Sequence, residues 1–341
     1  MKLNSLSILL AGLLLSACGK TMELPPAQPL QASAEQLAQI PGIASGPLAV
    51  SKSEILDWRV GEQTLRLRVL QPSPHSGGDG PFPLVLFSHG FASDVDQYDA
   101  LLTHWASHGY ISIAPYHRDG GGSLRAIFNS IAIGKAGLIA GRVADIALLL
   151  ENLAALDEVM PGLAQRIDRG RIAVAGHSFG AFTAQQFAGA RAIDPEDGSQ
   201  IAAGEHSVRA VIAISPPGEM FGLINQQSWR SMHKPMLATT GTWDVDGRFV
   251  TDWRQHRLSF ESAQPGNNWL LVIQGADHYL GNLICRTERD AEPQPDALRM
   301  VNAASLNFLK AQLQDDAAAM ALLDADYLSQ PTGGYARIEH R

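Results

Sequence analysis

Cysteine is nearly absent from the 341 residues: Cys18 and Cys285 are the only two. No disulfide framework can brace such a chain, and Cys285, with no short motif around it, reads as a packed small residue rather than a nucleophile. No Lys/Arg run interrupts the formal net charge of −8, which excludes the basic face that a nucleic-acid partner demands. An acidic tail is missing too, so the charge serves solubility. The chain has no GxGxxG and no P-loop, and no HExxH accompanies its histidines, so neither an organic cofactor nor a metal is expected. Asp94, Asp96 and Asp99 lack the glycine and terminal glutamate of a calcium loop and read as an acidic cluster at a helix N-terminus. His104 and His108, four apart on an expected helix, read as a solvent-facing pair.

With 45% hydrophobic and 18% charged residues the chain can bury one large core. Its apolar run at 6–15 is too short for a comfortable transmembrane helix. That run follows Lys2 and leads into Leu15-Ser16-Ala17-Cys18, the layout of a secretory signal. Those four residues resemble the lipobox of bacterial lipoproteins. The resemblance implies a lipidated Cys18, export and a membrane anchor; Gly19 in place of Asp favours the outer membrane, facing the periplasm. Pro25, Pro26, Pro29 and Pro41 stand among Ala and Gln in the next stretch, with a short helix near 34–40 at most. The expected organisation is a signal segment over 1–18, a flexible tether over 19–46, one domain over 47–315 and a C-terminal tail over 316–341.

The segment 64–70 (TLRLRVL) alternates apolar and basic residues, as an edge or antiparallel strand with one wet face does. Short, nearly continuous apolar runs at 84–88, 110–114, 171–175 and 208–214, with further candidates at 236–240 and 269–274, suit strands buried on both faces. Helix-period segments at 97–108, 135–156, 179–190, 249–262 and 297–314 lie between or after them. The alternation predicts an α/β fold: a mainly parallel central sheet with helices on both faces, its strand C-termini along one rim where open sheets of this kind keep their sites.

One motif stands at that rim. Gly176-His177-Ser178-Phe179-Gly180 falls between the strand at 171–175 and the helix from 179, the context of a nucleophile elbow, a turn so tight that glycine flanks the nucleophile on both sides. Ser178 is the candidate nucleophile. The backbone N–H of Phe179 opens the helix and is a candidate oxyanion donor; a second is the N–H of Phe91, after the Ser88-His89-Gly90 turn, with His89 holding that loop. A serine needs a base, and of eleven histidines His278, in Gly275-Ala276-Asp277-His278-Tyr279, follows the last apolar strand. The imidazole needs a carboxylate. Asp244 and Asp246 both follow the strand at 236–240, and Asp244 is preferred.

Serine, then aspartate, then histidine is the chain order of α/β-hydrolases. "PLVLFSHGFASDVDQYDALLTHWASHGYISIAPYHRDG", "VAGHSFGAFTA", "TGTWDVDG" and "GADHYLG" resemble the serine hydrolases grouped with platelet-activating-factor acetylhydrolases, chlorophyllases and dienelactone-hydrolase-like proteins and, more distantly, cutinase-like polyester hydrolases. The resemblance covers about 65–309. It implies an ester hydrolase with an acyl-enzyme on Ser178, proton shuttling by His278, orientation of His278 by Asp244, and an oxyanion hole from Phe91 and Phe179. Dienelactone hydrolases carry cysteine where this chain has Ser178, and the cutinase-like C-terminal disulfide has no counterpart. An acyltransferase, a serine peptidase or a non-catalytic binding protein on the same fold remain alternatives.

The expected partner is a small-molecule or lipid-derived ester, with Trp243 and Tyr116 as candidate substrate contacts. The loop from Tyr116 through His117, Arg118 and Asp119 to the glycines is expected to flex over the cleft, and the stretch at 215–231, with Met220, Phe221 and Trp229, to form a small lid.

Overall fold

The computed structural model describes residues 24–341 except 75–79, 122–123, 202–203, 205–206, 247–249 and 288; of 124–131 it describes the backbone alone. The signal segment and Cys18 lie outside the described residues. The strands are β1 (Val50–Val60), β2 (Gln63–Pro72), β3 (Phe82–Ser88), β4 (Ile111–Pro115), β5 (Ile167–His177), β6 (Ala210–Ile214), β7 (Met236–Trp243), β8 (Asn268–Asp277) and β9 (Ala336–His340). They form one sheet in the order β1-β2-β4-β3-β5-β6-β7-β8-β9. Pairing is parallel from β4 through β8 and antiparallel at β1/β2, β2/β4 and β8/β9.

The helices are α1 (Ala34–Ala38), α2 (Asp99–Ser107), α3 (Leu124–Glu151), α4 (Leu163–Arg166), α5 (Phe179–Phe187), α6 (Leu258–Ser262), α7 (Pro295–Leu313) and α8 (Ala317–Asp324). Side chains alternate across a strand, and the sheet divides its apolar residues accordingly. Val85 and Phe87 of β3, and Trp269, Leu271 and Ile273 of β8, pack with α2 and α7. Leu84 and Leu86, and Leu270 and Val272, pack on the other side with α3 and α5. That two-sided burial is why the central strands read as continuous apolar runs. The arrangement is the α/β fold expected, helices covering both faces. α3 is interrupted at Gly134, whose φ of 73° is outside the helical range; periodicity placed the helix start one residue later, at Lys135.

Both ends of the chain depart from expectation. Residues 316–341 are no tail: Asp316 caps α8 through its side chain, and β9 pairs with β8 from Trp269↔His340 to Ile273↔Ala336. Residues 24–46 are no free tether: Leu37, Ile40 and Ile43 are buried in the core on the α2/α7 side. The Gln31 N–H bonds the Thr332 carbonyl at 3.4 Å. β1 was not expected either. It is an edge strand whose burial pattern is mostly open, and its ladder is shifted between Ile55 and Trp58.

Candidate active site

Ser178 sits between β5 and α5 with φ 54° and ψ −123°, a conformation that L-residues hold only under strain of about 1–3 kcal/mol. The flanking glycines are required by contact. A Cβ on Gly176 would lie 2.1 Å from the Gly180 carbonyl oxygen, and one on Gly180 would lie 2.0 Å from that of Ser88. The elbow is therefore pressed against the turn that follows β3. The Ser178 N–H donates to the Ile214 carbonyl at the end of β6, 2.9 Å away, so the strained residue is anchored by its backbone.

The C-terminal ends of three strands converge here. His278, after β8, has Nε2 2.9 Å from Ser178 Oγ and Nδ1 2.6 Å from Asp244 Oδ1. Asp244, just past β7, is fully buried and also accepts from the Thr240 hydroxyl at 2.9 Å. Asp246, the rival from sequence, is instead bridged to Val250 through the backbone. Burial alone would favour neutral Asp244, but two histidines, His256 and His278, hold its carboxyl well below the usual carboxylate range. A hydroxyl, an imidazole and a buried carboxylate aligned in this order can deprotonate the hydroxyl as it attacks and stabilise the resulting imidazolium.

The Chlorophyllase family model matches residues 65–216, a span that takes in the turn after β3 and the elbow and ends before Asp244 and His278. Two platelet-activating factor acetylhydrolases are similar in sequence, from Bos taurus at 29% identity and from Canis lupus familiaris at 28%. Each match takes in 31% of this chain and 31% of the relative, so the chain spans about a third of the length of these curated relatives. The sheet order, the elbow and the family match agree.

The chain has the α/β-hydrolase fold.

Around the elbow the structure adds Arg142 and Asp145, which sequence alone did not single out. Arg142, 1% exposed on α3, donates to Ser88 Oγ at 3.1 Å, to the His89 carbonyl and to the Gly90 carbonyl at 3.2 Å. Its charge is balanced by Asp119, bound at 3.1 and 2.7 Å. His117 Nδ1 lies 2.7 Å from Asp145 Oδ2, and Nε2 lies 2.9 Å from Ser88 Oγ. The His117 N–H donates to His89 Nε2 at 3.1 Å. Burial, reinforced by Arg142, pushes His89 well below and His117 below the ordinary imidazole value, so both are neutral links. Arg142 and Asp145 are the only charges in residues 136–150, a signal that was legible but not used.

This clamp fixes the chain just before Phe91, and from the other side Arg286 donates to the Phe91 and Ala92 carbonyls at 3.0 and 2.9 Å. The Gly90 N–H donates to the Tyr98 hydroxyl at 2.9 Å, and Tyr98 lies 3.0 Å from His177 Nδ1. His177 Nε2 faces the His278 carbonyl at 2.9 Å. Since only a protonated Nε2 can serve that carbonyl, Nδ1 accepts from Tyr98, and one neutral histidine links the turn to the His278 loop. Among the described residues the N–H groups of Phe91 and Phe179 have no acceptor. The loop at 116–121 does not flex freely: His117 and Asp119 are buried parts of the clamp.

The candidate substrate contacts fare differently. Tyr116 turns away to Glu54 on β1 (hydroxyl to carboxylate 2.7 Å) and lies under Arg66 of β2 at 4.1 Å; no contact among the described residues joins it to Ser178. The Trp243 indole N–H donates to the Pro25 carbonyl at 2.7 Å, so the N-terminal segment, rather than an open wall, meets it. Of the expected lid, Trp229 is fully buried and bonds Gln185 at 3.0 Å, whereas Phe221 packs edge-on against Phe179 at 5.8 Å, and Phe91 packs edge-on against the same Phe179 ring at 6.4 Å. His104 is buried rather than solvent-facing.

Among the described residues the one group able to offer three metal ligands is Asp244, His256 and His278, whose ligand atoms lie within 4.8 Å of one another. The nitrogens that a metal would need bare are those facing Asp244, where His278 spends its proton on the carboxylate. The chemistry of the donor set therefore favours proton relay over metal binding.

Proposed function

We propose that this protein hydrolyses carboxylic esters through an acyl-enzyme on Ser178. The Ser178 oxygen attacks the ester carbonyl carbon while its proton passes to His278 Nε2, and Asp244 steadies the imidazolium. The developing oxyanion takes hydrogen bonds from the N–H groups of Phe179 and Phe91, donors of a kind worth on the order of 10²–10³ in kcat. Collapse breaks the ester C–O bond, and the departing alcohol leaves with the proton from His278. Water then attacks the acyl-enzyme, its proton going to His278; the acid departs, and the proton returns to Ser178.

The observation that carries this reading is the strained Ser178 held 2.9 Å from His278 Nε2, itself 2.6 Å from a buried carboxylate. The aromatic group of Phe91, Phe179 and Phe221 beside the nucleophile supports an apolar acyl or alkyl group, from small or medium esters to lipid-derived ones. The relatives' names, acetylhydrolase among them, agree with an acyl ester. The proposal includes a lipid on Cys18 that holds the exported enzyme at a bacterial membrane, tested by whether Cys18→Ser leaves the membrane fraction.

A fluorophosphonate probe should label the wild-type chain stoichiometrically and spare Ser178→Ala, and p-nitrophenyl esters from acetate to laurate should turn over only in the wild type. A folded wild-type sample that neither labels nor turns over any of these esters would remove the catalytic reading.

A further inference from the structure

His256 lies after β7, far from any motif, yet its ring is 1% exposed and stacks on His278 with centroids 5.6 Å apart and planes at 29°. Its Nε2 is 2.9 Å from Asp244 Oδ1 and 3.1 Å from the Asp244 carbonyl oxygen. Its Nδ1 is 2.5 Å from the Pro216 carbonyl oxygen. A carbonyl can only accept, and an ionised carboxylate can only accept. Both ring nitrogens therefore face acceptors alone, and a neutral imidazole, with one N–H, would leave a lone pair aimed at a lone pair in a buried site.

We propose that His256 is a standing imidazolium, a positioning residue that neutralises Asp244 from behind and sets the acid limit of the base, His278. This rests on the hydrolase reading above. The other titratable groups facing the ring are Asp244 at the end of β7, His278 at the end of β8 and, from β5, His177, which is neutral. Burial works against the charge on His256, but Asp244 overrides it and holds the ring's pKa above its ordinary value. Asp244 thus serves two histidines at once: its Oδ1 receives His278 Nδ1–H and faces His256 Nε2–H, while its Oδ2 takes the Thr240 hydroxyl. A carboxylate whose charge is already matched attracts a further proton less strongly than a bare one.

The test begins with the resting wild-type chain, labelled with ¹⁵N-histidine and assigned by comparison with His256→Gln. Between about pH 5 and 8 the His256 nitrogens should both appear protonated. One bare ring nitrogen in that range would overturn the proposal, whatever the activity. The second arm is the pH dependence of kcat/KM on a p-nitrophenyl ester. His256→Gln keeps an amide donor toward Asp244 and should hold plateau activity within about tenfold while its acid limb moves up by about one pH unit. A merely structural role would lower the plateau and leave the limb in place, and that result would also overturn the proposal. Fluorophosphonate labelling of Ser178 reports on the hydrolase reading separately, so the two can fail independently.

Discussion

Replacing Asp244 by Asn tests the arrangement most severely, because it removes one charge and alters no volume. Asp244 is fully buried and accepts from His278 at 2.6 Å and Thr240 at 2.9 Å, with His256 Nε2 2.9 Å from the same oxygen as His278. An amide in its place offers either an oxygen without charge or an NH₂ that forces the wrong tautomer on His278. Loss of the orienting carboxylate costs about 10⁴ in kcat where a triad operates, or about 5 kcal/mol of transition-state stabilisation. The same substitution leaves His256 without its counter-ion, and breaking a buried pair in this way costs about 3–5 kcal/mol of stability. The assay is kcat/KM on p-nitrophenyl butyrate, normalised to active sites, together with urea denaturation. Asp246→Asn is the control, expected within about tenfold of wild type. If Asp244→Asn retained more than about a tenth of the activity, or if Asp246→Asn were the variant that collapsed, the proposed relay would be wrong.

Arg142→Met should lower kcat by about 10² through a loosened Phe91 donor and destabilise the fold by about 3–5 kcal/mol by stranding Asp119; restoration of much of the stability, but not the rate, in Arg142→Met/Asp119→Leu would show the two effects apart. Stability should fall at both ends of the pH range. The Asp244 contribution is complete above its ordinary value and is lost as pH falls through its lowered one, while the His256 contribution is complete below its ordinary value and is lost as pH rises through its raised one; a urea midpoint that is flat across both windows would contradict the pairing. Deletion of 316–341 exposes the β8 edge that β9 covers and should lower the urea midpoint and promote aggregation, measured by denaturation and light scattering; an unchanged midpoint would mean that β9 adds nothing to the sheet.

What the sequence determined by itself was local. The runs that became β3 to β8 were legible because both faces of those strands are covered, and burial on both faces leaves an apolar run with no alternation to misread. The Gly176-to-Gly180 elbow was legible because its contacts lie within a few residues and only glycine fits them. β1 and β9 were not, since edge strands carry polar residues on their open side and look like loop or tail. Asp244 and Asp246 share one loop and one chemistry, and burial against two histidines distinguished them. Tyr116 and Trp243 had plausible neighbours along the chain, but Glu54, Arg66 and Pro25 reach them from distant segments. His256 had no signal at all: 12 residues from Asp244 and 22 from His278, it acquires meaning only where the ends of β6, β7 and β8 close around one carboxylate. Position in the chain supplied the candidates, and the buried electrostatics of the folded rim decided which of them meet.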